Sequence, residues 1–124
     1  QYSDVPSLLA AADFGLLTSR EEGFSNVILE GMAAGLAMIV TDVGGNAEAV
    51  VHAQTGLVVP PRDPKAIGDA IVILARDPEA RKRLGAAGRK RVEEQFSIDK
   101  CVKAHLDLYQ EMLDQAESRR IAAE

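Results

Sequence analysis

Three short apolar runs constrain this chain more than any other feature: residues 14–17 (F-G-L-L), 37–41 (A-M-I-V-T) and 57–59 (L-V-V). Runs of this length without polar alternation read as strands buried on both faces. Helical patterning fills the intervals between and after them, and strands alternating with helices make a parallel α/β sheet covered by helices. The chain enters on a helix expected over 6–12, opening with Pro6 and capped from Ser3 or Asp4. Asp63-Pro64 starts a helix to about Ala75, with Ile67, Ala70, Ile71 and Leu74 on its inner stripe. Asp77-Pro78 starts another, expected to break near Gly85 or Gly88 and resume to Phe96. Ser97 caps a long last helix whose stripe is Ile98, Val102, Leu106, Tyr109 and Leu113. From Ala116 onward a frayed or flexible end is expected.

The stretch R-E-E-G-F-S-N-V-I-L-E-G-M-A-A-G, residues 20–35, carries the chemistry. It leaves the C-terminal end of the first strand, where open α/β sheets bind ligands. Ser25 or Asn26 is the expected N-cap of a helix over 27–34, closed by Gly35. The first amides of a helix lack internal acceptors and carry positive potential, so such an end binds phosphate without a lysine. Glu22 precedes this end and Glu30 lies one turn beyond it, several ångströms apart at about 1.5 Å of rise per residue. Each carboxylate can accept both hydroxyls of a vicinal diol. Diol, diphosphate, diol is the order of groups in a nucleotide sugar. Ser19 and Glu22 also fit a capping box. Glu30 has no such alternative, because a charge among Val27, Ile28, Leu29, Met32 and Ala33 is costly unless paired. Asn26, at i, i+4, shares its face. After the second strand, Gly44 and Gly45 would let backbone approach a ligand closely and form a second wall of the pocket. Asn46 is the expected cap of a short helix through Val51, and Glu48 fits either a first-turn dipole partner or a site residue.

At this point the residues resemble a known family. E-G-F-S-N-V-I-L-E-G-M-A-A-G-L-A-M-I-V-T-D-V-G-G-N-A-E-A-V looks like the donor-binding signature of retaining glycosyltransferases with the GT-B fold. The group is the family 4-like one containing sucrose synthase, bacterial glycogen synthases and lipid-linked mannosyltransferases. The likeness continues through G-L-V-V-P-P-R-D-P and G-A-A-G-R-K-R-V-E-E-Q-F-S and so covers nearly the whole chain. It implies that Glu22, in the catalytic position, contacts the donor sugar without acting as nucleophile. It also implies that Glu30 binds the ribose, and that Gly23, Phe24, Ser25 and Asn26 offer amides to the diphosphate. Ala37 stands where the family has proline and Gly31 where it has alanine; neither removes a ligand contact.

The implied fold is a partial Rossmann-like sheet over 1–96, followed by a C-terminal helix and tail over 97–124. The resemblance further implies a missing N-terminal domain for the acceptor sugar or lipid-linked glycan. Missing too are earlier strands that bring basic residues to the diphosphate. The isolated chain is therefore expected to be inactive, with self-association through its last helix. Alternatives from other classes are a non-catalytic nucleotide-sugar-binding or self-associating module and a GT-B-like sugar-nucleotide epimerase.

Composition narrows the rest. A net charge of −5 and the absence of Trp argue against a nucleic-acid partner. No apolar run is long enough to span a bilayer. Cys101 is the single cysteine, which excludes an intrachain disulfide and fits a reducing cytoplasm; it is expected to pack in the core of the last helix. The polar start, at Gln1, predicts a processed or excised chain without a secretory signal. His52 and His105 lack partners at ligand spacing, and no Asp-x-Asp occurs, so neither metal nor cofactor is expected. Arg81-Lys82-Arg83 and Arg89-Lys90-Arg91 would suit a peripheral membrane contact. Diluted by Glu79, Glu93 and Glu94, they read better as a solvated helix face.

Overall fold

The computed structural model describes residues 4–122, with side chains through residue 120. The chain divides into two compact units, Gln1–Glu94 and Gln95–Glu124. In the first, three parallel strands form one sheet in the order β1 (Gly15–Leu17), β2 (Met38–Thr41) and β3 (Gly56–Val59). Leu16 stands opposite Ile39 and Ile39 opposite Leu57, which sets the register across the sheet. Every residue of β2 is buried. That is why the central strand reads as an unbroken apolar run.

Side chains alternate across β2. Met38 and Val40 pack on one face with Ile28 and Met32 of α2 (Asn26–Ala33) and with Ala49 at the end of α3 (Asn46–Ala49). Ile39 faces the other way, toward Ala70 and Leu74 of α4 (Pro64–Arg76) and Leu84 of α5 (Pro78–Gln95). Truncating a core side chain such as Ile28 or Leu74 to alanine costs about 2–5 kcal/mol. Leu9 of α1 (Val5–Ala10) packs against the first cluster. Asp4 caps α1 by accepting from the Ser7 N–H at 3.2 Å; Ser3, the other expected cap, lies outside the described residues. Asp63 and Asp77 accept from the Ala66 and Ala80 amides at 2.9 Å, so the two Asp-Pro starts form as expected.

Helix α5 does not break at Gly85 or Gly88; it runs unbroken from Pro78 to Gln95. Both glycines are buried contact points. A Cβ on Gly85 would overlap the Gly35 carbonyl, and one on Gly88 would lie 3.2 Å from the Thr55 carbonyl. The missing side chains let the helix backbone lie directly on the α2–β2 turn. α3 also departs from expectation. It ends at Ala49, and Gly45 rather than Asn46 holds the cap position. The Asn46 side chain turns back to donate to the Thr41 carbonyl at 3.0 Å and is fully buried, so it cannot cap.

Of the basic clusters of α5, Lys82, Arg89 and Lys90 stay on the expected solvated face, while Arg81 and Arg91 are tied to backbone. Arg81 donates to the Leu74 carbonyl at 2.6 Å, and Arg91 donates to the carbonyls of Ala49 and Glu48 at 2.9 and 2.8 Å. Lys82, Arg89 and Lys90 pair with Glu79, Glu93 and Glu94. In the second unit α6 (Ile98–Ala122) begins where expected, with the Lys100 N–H on Ser97 Oγ at 3.4 Å. It continues as regular helix past Ala116 to Ala122; residues 123–124 lie outside the described residues. Cys101 is exposed, not packed in a core. Its i+4 neighbour His105 turns Nδ1 to the Cys101 carbonyl at 2.8 Å. Among the described residues no helix is long and apolar enough to cross a membrane.

Two identical substitutions in helices should have opposite effects. A Cβ on Gly68 meets nothing within 4 Å, so Gly68→Ala should raise stability by about 0.5–1 kcal/mol through helix propensity. Gly85→Ala should lower it by about 1–3 kcal/mol through overpacking. Urea denaturation of the two variants measures both.

Candidate functional site

Two loops meet at the C-terminal edge of the sheet. The first carries Thr18 through Phe24 from β1 to Ser25, the N-cap of α2. The second carries Asp42 through Gly45 from β2 to α3. Two hydrogen bonds bind them, and a third ties the second loop's exit back to β2. Thr41 Oγ1 donates to the Ser19 carbonyl at 2.7 Å, Asn46 Nδ2 to the Thr41 carbonyl at 3.0 Å, and the Gly45 N–H to the Gly23 carbonyl at 2.6 Å. Gly44 has φ +50°, and a Cβ there would overlap the Glu22 carbonyl. A Cβ on Gly45 would lie 2.7 Å from the Gly23 carbonyl and 2.8 Å from the Phe24 ring. The close approach these glycines permit is thus made to the protein's own first loop. They back Glu22, Gly23 and Phe24 and hold that segment in place.

Glu22 is half-buried in the first loop and accepts from Ser19 Oγ at 2.7 Å. No helix begins at Ser19, so the pair is a bond between two loop side chains and not a capping box. One carboxylate oxygen is thereby oriented while the other keeps its acceptor capacity. Ser25 is buried yet makes no side-chain cap bond. The opening amides of α2 therefore lack both an internal acceptor and a hydroxyl from their cap. Phe24 and Val27 flank them and are 42% and 54% exposed, an apolar rim beside a polar donor row.

Glu30 stands on the exposed face of α2, with Asn26 likewise exposed, while Ile28, Gly31 and Met32 form the buried face. The expected desolvation cost does not arise, because this carboxylate remains in water. It lines a groove of about 570 Å³ with Val5, Pro6, Leu9 and Ala10 of α1 and Ala33 and Ala34. Glu22 lies outside that lining. The two acids therefore bracket the start of α2, one before it and one on the apolar groove beyond.

Sequence reasoning missed two features. The apolar wall that α1 contributes opposite Glu30 depends on which helices become neighbours. A second hollow of about 580 Å³ lies at the strand ends, lined by Thr18, Ser19, Arg20, Thr41, Arg62 and Ile67 among others. The nearest signal for it was Arg62 within Pro-Pro-Arg-Asp-Pro. Glu48 lies in the first turn of α3. His52 Nδ1 accepts from the Val58 N–H at 3.1 Å. Among the described residues no three His, Cys, Asp or Glu side chains gather as a metal cluster.

A three-stranded parallel sheet flanked by helices, with a long C-terminal helix, is a GT-B-like α/β architecture. Residues 1–91 match the family described as "Glycosyl transferases group 1", and the chain belongs to that family. It is 36% identical over 110 residues to N-acetyl-alpha-D-glucosaminyl L-malate synthase of Bacillus anthracis, covering 89% of this chain and 29% of that protein. Sucrose-phosphate synthase from Thermosynechococcus elongatus superposes with a TM-score of 0.82 at 33% identity, over 87% of this chain and 27% of that one. An Anabaena protein, Alr3699/HepE, solved in complex with UDP-glucose, shares the fold at 23% identity and a TM-score of 0.75, over 94% of this chain and 30% of that one. The chain thus spans less than a third of the length of these relatives.

The bracket between the loops can be tested at Gly44. Gly44→Ala should lower stability by at least about 2 kcal/mol, since strain at positive φ adds to a backbone overlap. Thermal or urea unfolding reads the loss.

Proposed function

We propose that this chain is the donor-binding portion of a retaining glycosyltransferase, over 1–96, with 97–124 as its terminal helical segment. The parent takes a nucleotide-diphosphate sugar and passes the hexose to an acceptor without a metal. One observation carries this reading: the start of α2, where Ser25 makes no side-chain cap bond, lies between an oriented Glu22 and an exposed Glu30. The diphosphate sits on the amides of Gly23, Phe24, Ser25 and Asn26, backed by Gly44 and Gly45. Negative charge grows on this group as the sugar leaves, and fixed donors stabilise such charge best. Glu22, held by Ser19, orients the sugar through its hydroxyls. Glu30, whose carboxylate has no hydrogen-bond partner among the described residues, accepts the ribose diol at the rim of the α1–α2 groove. The UDP-glucose bound by the Anabaena protein is a ligand of this kind. An acceptor sugar or lipid-linked glycan would be held by a further domain of the parent, working in the cytoplasm or at a membrane surface. The 124-residue chain alone binds donor without transferring it.

In the full-length parent, Glu22→Ala should reduce transfer by at least about 100-fold with unchanged thermal stability. Glu30→Ala should chiefly weaken nucleotide-sugar binding, by about tenfold or more. Undiminished transfer by the Glu22→Ala enzyme would sink the assignment; radiolabelled transfer and calorimetric titration of UDP-, GDP- and ADP-sugars make the measurement.

A second reading, self-association, is favoured by α6. Ile98, Val102, Leu106, Tyr109 and Leu113 form one stripe, and each is at least 51% exposed. A stripe of this size at helical spacing is a pairing surface. Light scattering should show dimers at high concentration, lost in a Leu106→Glu, Leu113→Glu variant; a clean monomer at all concentrations excludes it.

A further inference from the structure

We propose that the hollow at the C-terminal ends of the three strands is a second anion site, which takes the phosphate monoester of a small polyhydroxy ligand. It is distinct from the diphosphate cradle and does not rest on the donor reading. Arg20 follows β1 and Arg62 follows β3, the two strands that flank β2, so the two guanidinium-bearing residues reach one hollow from either side of Thr41. Neither arginine has an ion pair or hydrogen bond among the described residues. By contrast Arg81, Arg83, Arg89 and Arg91 are each bonded to carbonyls or carboxylates. The protein is acidic overall, with 19 Asp and Glu against 14 Lys and Arg. Two uncommitted arginines on one concavity therefore run against the general charge. Asp63 also lines the hollow, but its carboxylate is engaged with the Ala66 amide at 2.9 Å as the cap of α4.

The backbone supports the same reading. Arg62 has φ +61°, a left-handed conformation uncommon for a residue with a Cβ. Pro61 before it and Asp63-Pro64 after it restrict the turn to few alternatives. The turn is thereby fixed in shape, and it places Arg62 on the wall of the hollow.

The hollow and the donor site share Ser19, which lines the one and donates to Glu22 of the other, but they extend to opposite faces of the sheet. α2 and its groove with α1 belong to the sheet face of Met38 and Val40. The hollow includes Pro64 and Ile67 of α4, which covers the opposite face with Ile39. Two guanidiniums suit the three oxygens of a phosphate monoester, and a space of about 580 Å³ exceeds what a bare ion fills. The Thr18 side chain, which has no partner among the described residues, and the lone pairs on Thr41 Oγ1 can bond the hydroxyls of the rest of such a ligand.

The test is amide NMR of the protein titrated with inorganic phosphate, glucose 6-phosphate, malonate, glucose and sodium chloride at matched ionic strength. Phosphate and glucose 6-phosphate should move the amides of Thr18, Arg20 and Arg62 saturably, with glucose 6-phosphate the tighter. Glucose and chloride should leave them in place. Arg20→Gln and Arg62→Gln should each weaken phosphate binding at least about fivefold, as expected for losing a charge-assisted contact. Arg62→Gly should do the same while relieving the turn, which separates loss of the cation from loss of the fold. Saturating UDP should leave phosphate affinity within about twofold, since two sites are occupied independently. Displacement of phosphate by UDP, shifts confined to residues 23–26, affinities unchanged by the arginine substitutions, or malonate binding more tightly than phosphate would each overturn the proposal. Failure of UDP to bind at all would count against the donor reading and leave the phosphate titration intact.

Discussion

The Gly45 N–H to Gly23 carbonyl bond, with Gly44 lying against Glu22, is the constraint on which the site depends. Loops at the edge of a sheet are ordinarily its most mobile parts. Here one loop is braced backbone to backbone by its neighbour, and the neighbour is anchored through Asn46 and Thr41 to the most buried strand. The position of Glu22 is thus set by the packing of β2, several residues and one strand away. Preorganisation of this kind is what a charged transition state requires, because donors and acceptors that are already in place need not reorganise.

The same economy of backbone spacing recurs on the opposite side of α2. Gly85 brings α5 onto the turn that ends α2, and Arg91 further along α5 donates to the last carbonyls of α3. Both helices that lead out of the two site loops are held from behind by one long helix. Its arginines act as hydrogen-bond staples to exposed helix ends, where uncapped carbonyls need donors. A basic sequence cluster therefore serves the fold here, while Arg20 and Arg62 line an open hollow.

Legibility followed burial. The unbroken run in β2 was readable because residues hidden on both faces must be apolar, whereas β1 and β3 at the sheet edges are only partly buried and Leu16 is exposed. The Asp-Pro starts of α4 and α5 were readable because capping is local chemistry. The helix break at Gly85 was misplaced for the opposite reason. A glycine reads as flexible in sequence, and only a neighbour 50 residues away in the chain shows that it is a contact. Asn46 was misread likewise: its local preference is to cap, and a bond to Thr41 outweighed that preference. For Glu30 the surroundings in sequence were apolar, yet on a helix those neighbours are distributed around the axis, and the carboxylate ended on the wet side.

The sequence by itself determined the alternation of strand and helix, the helix starts and the order of acid, amides and acid along residues 22–30, because periodicity, capping and spacing act over a few residues. Tertiary structure alone decided what faces those groups. The α1 wall opposite Glu30, the backbone brace behind Glu22 and the convergence of Arg20 with Arg62 on one hollow all join segments distant in the chain. Such pairings follow from how strands order and helices pack, and no local pattern encodes them.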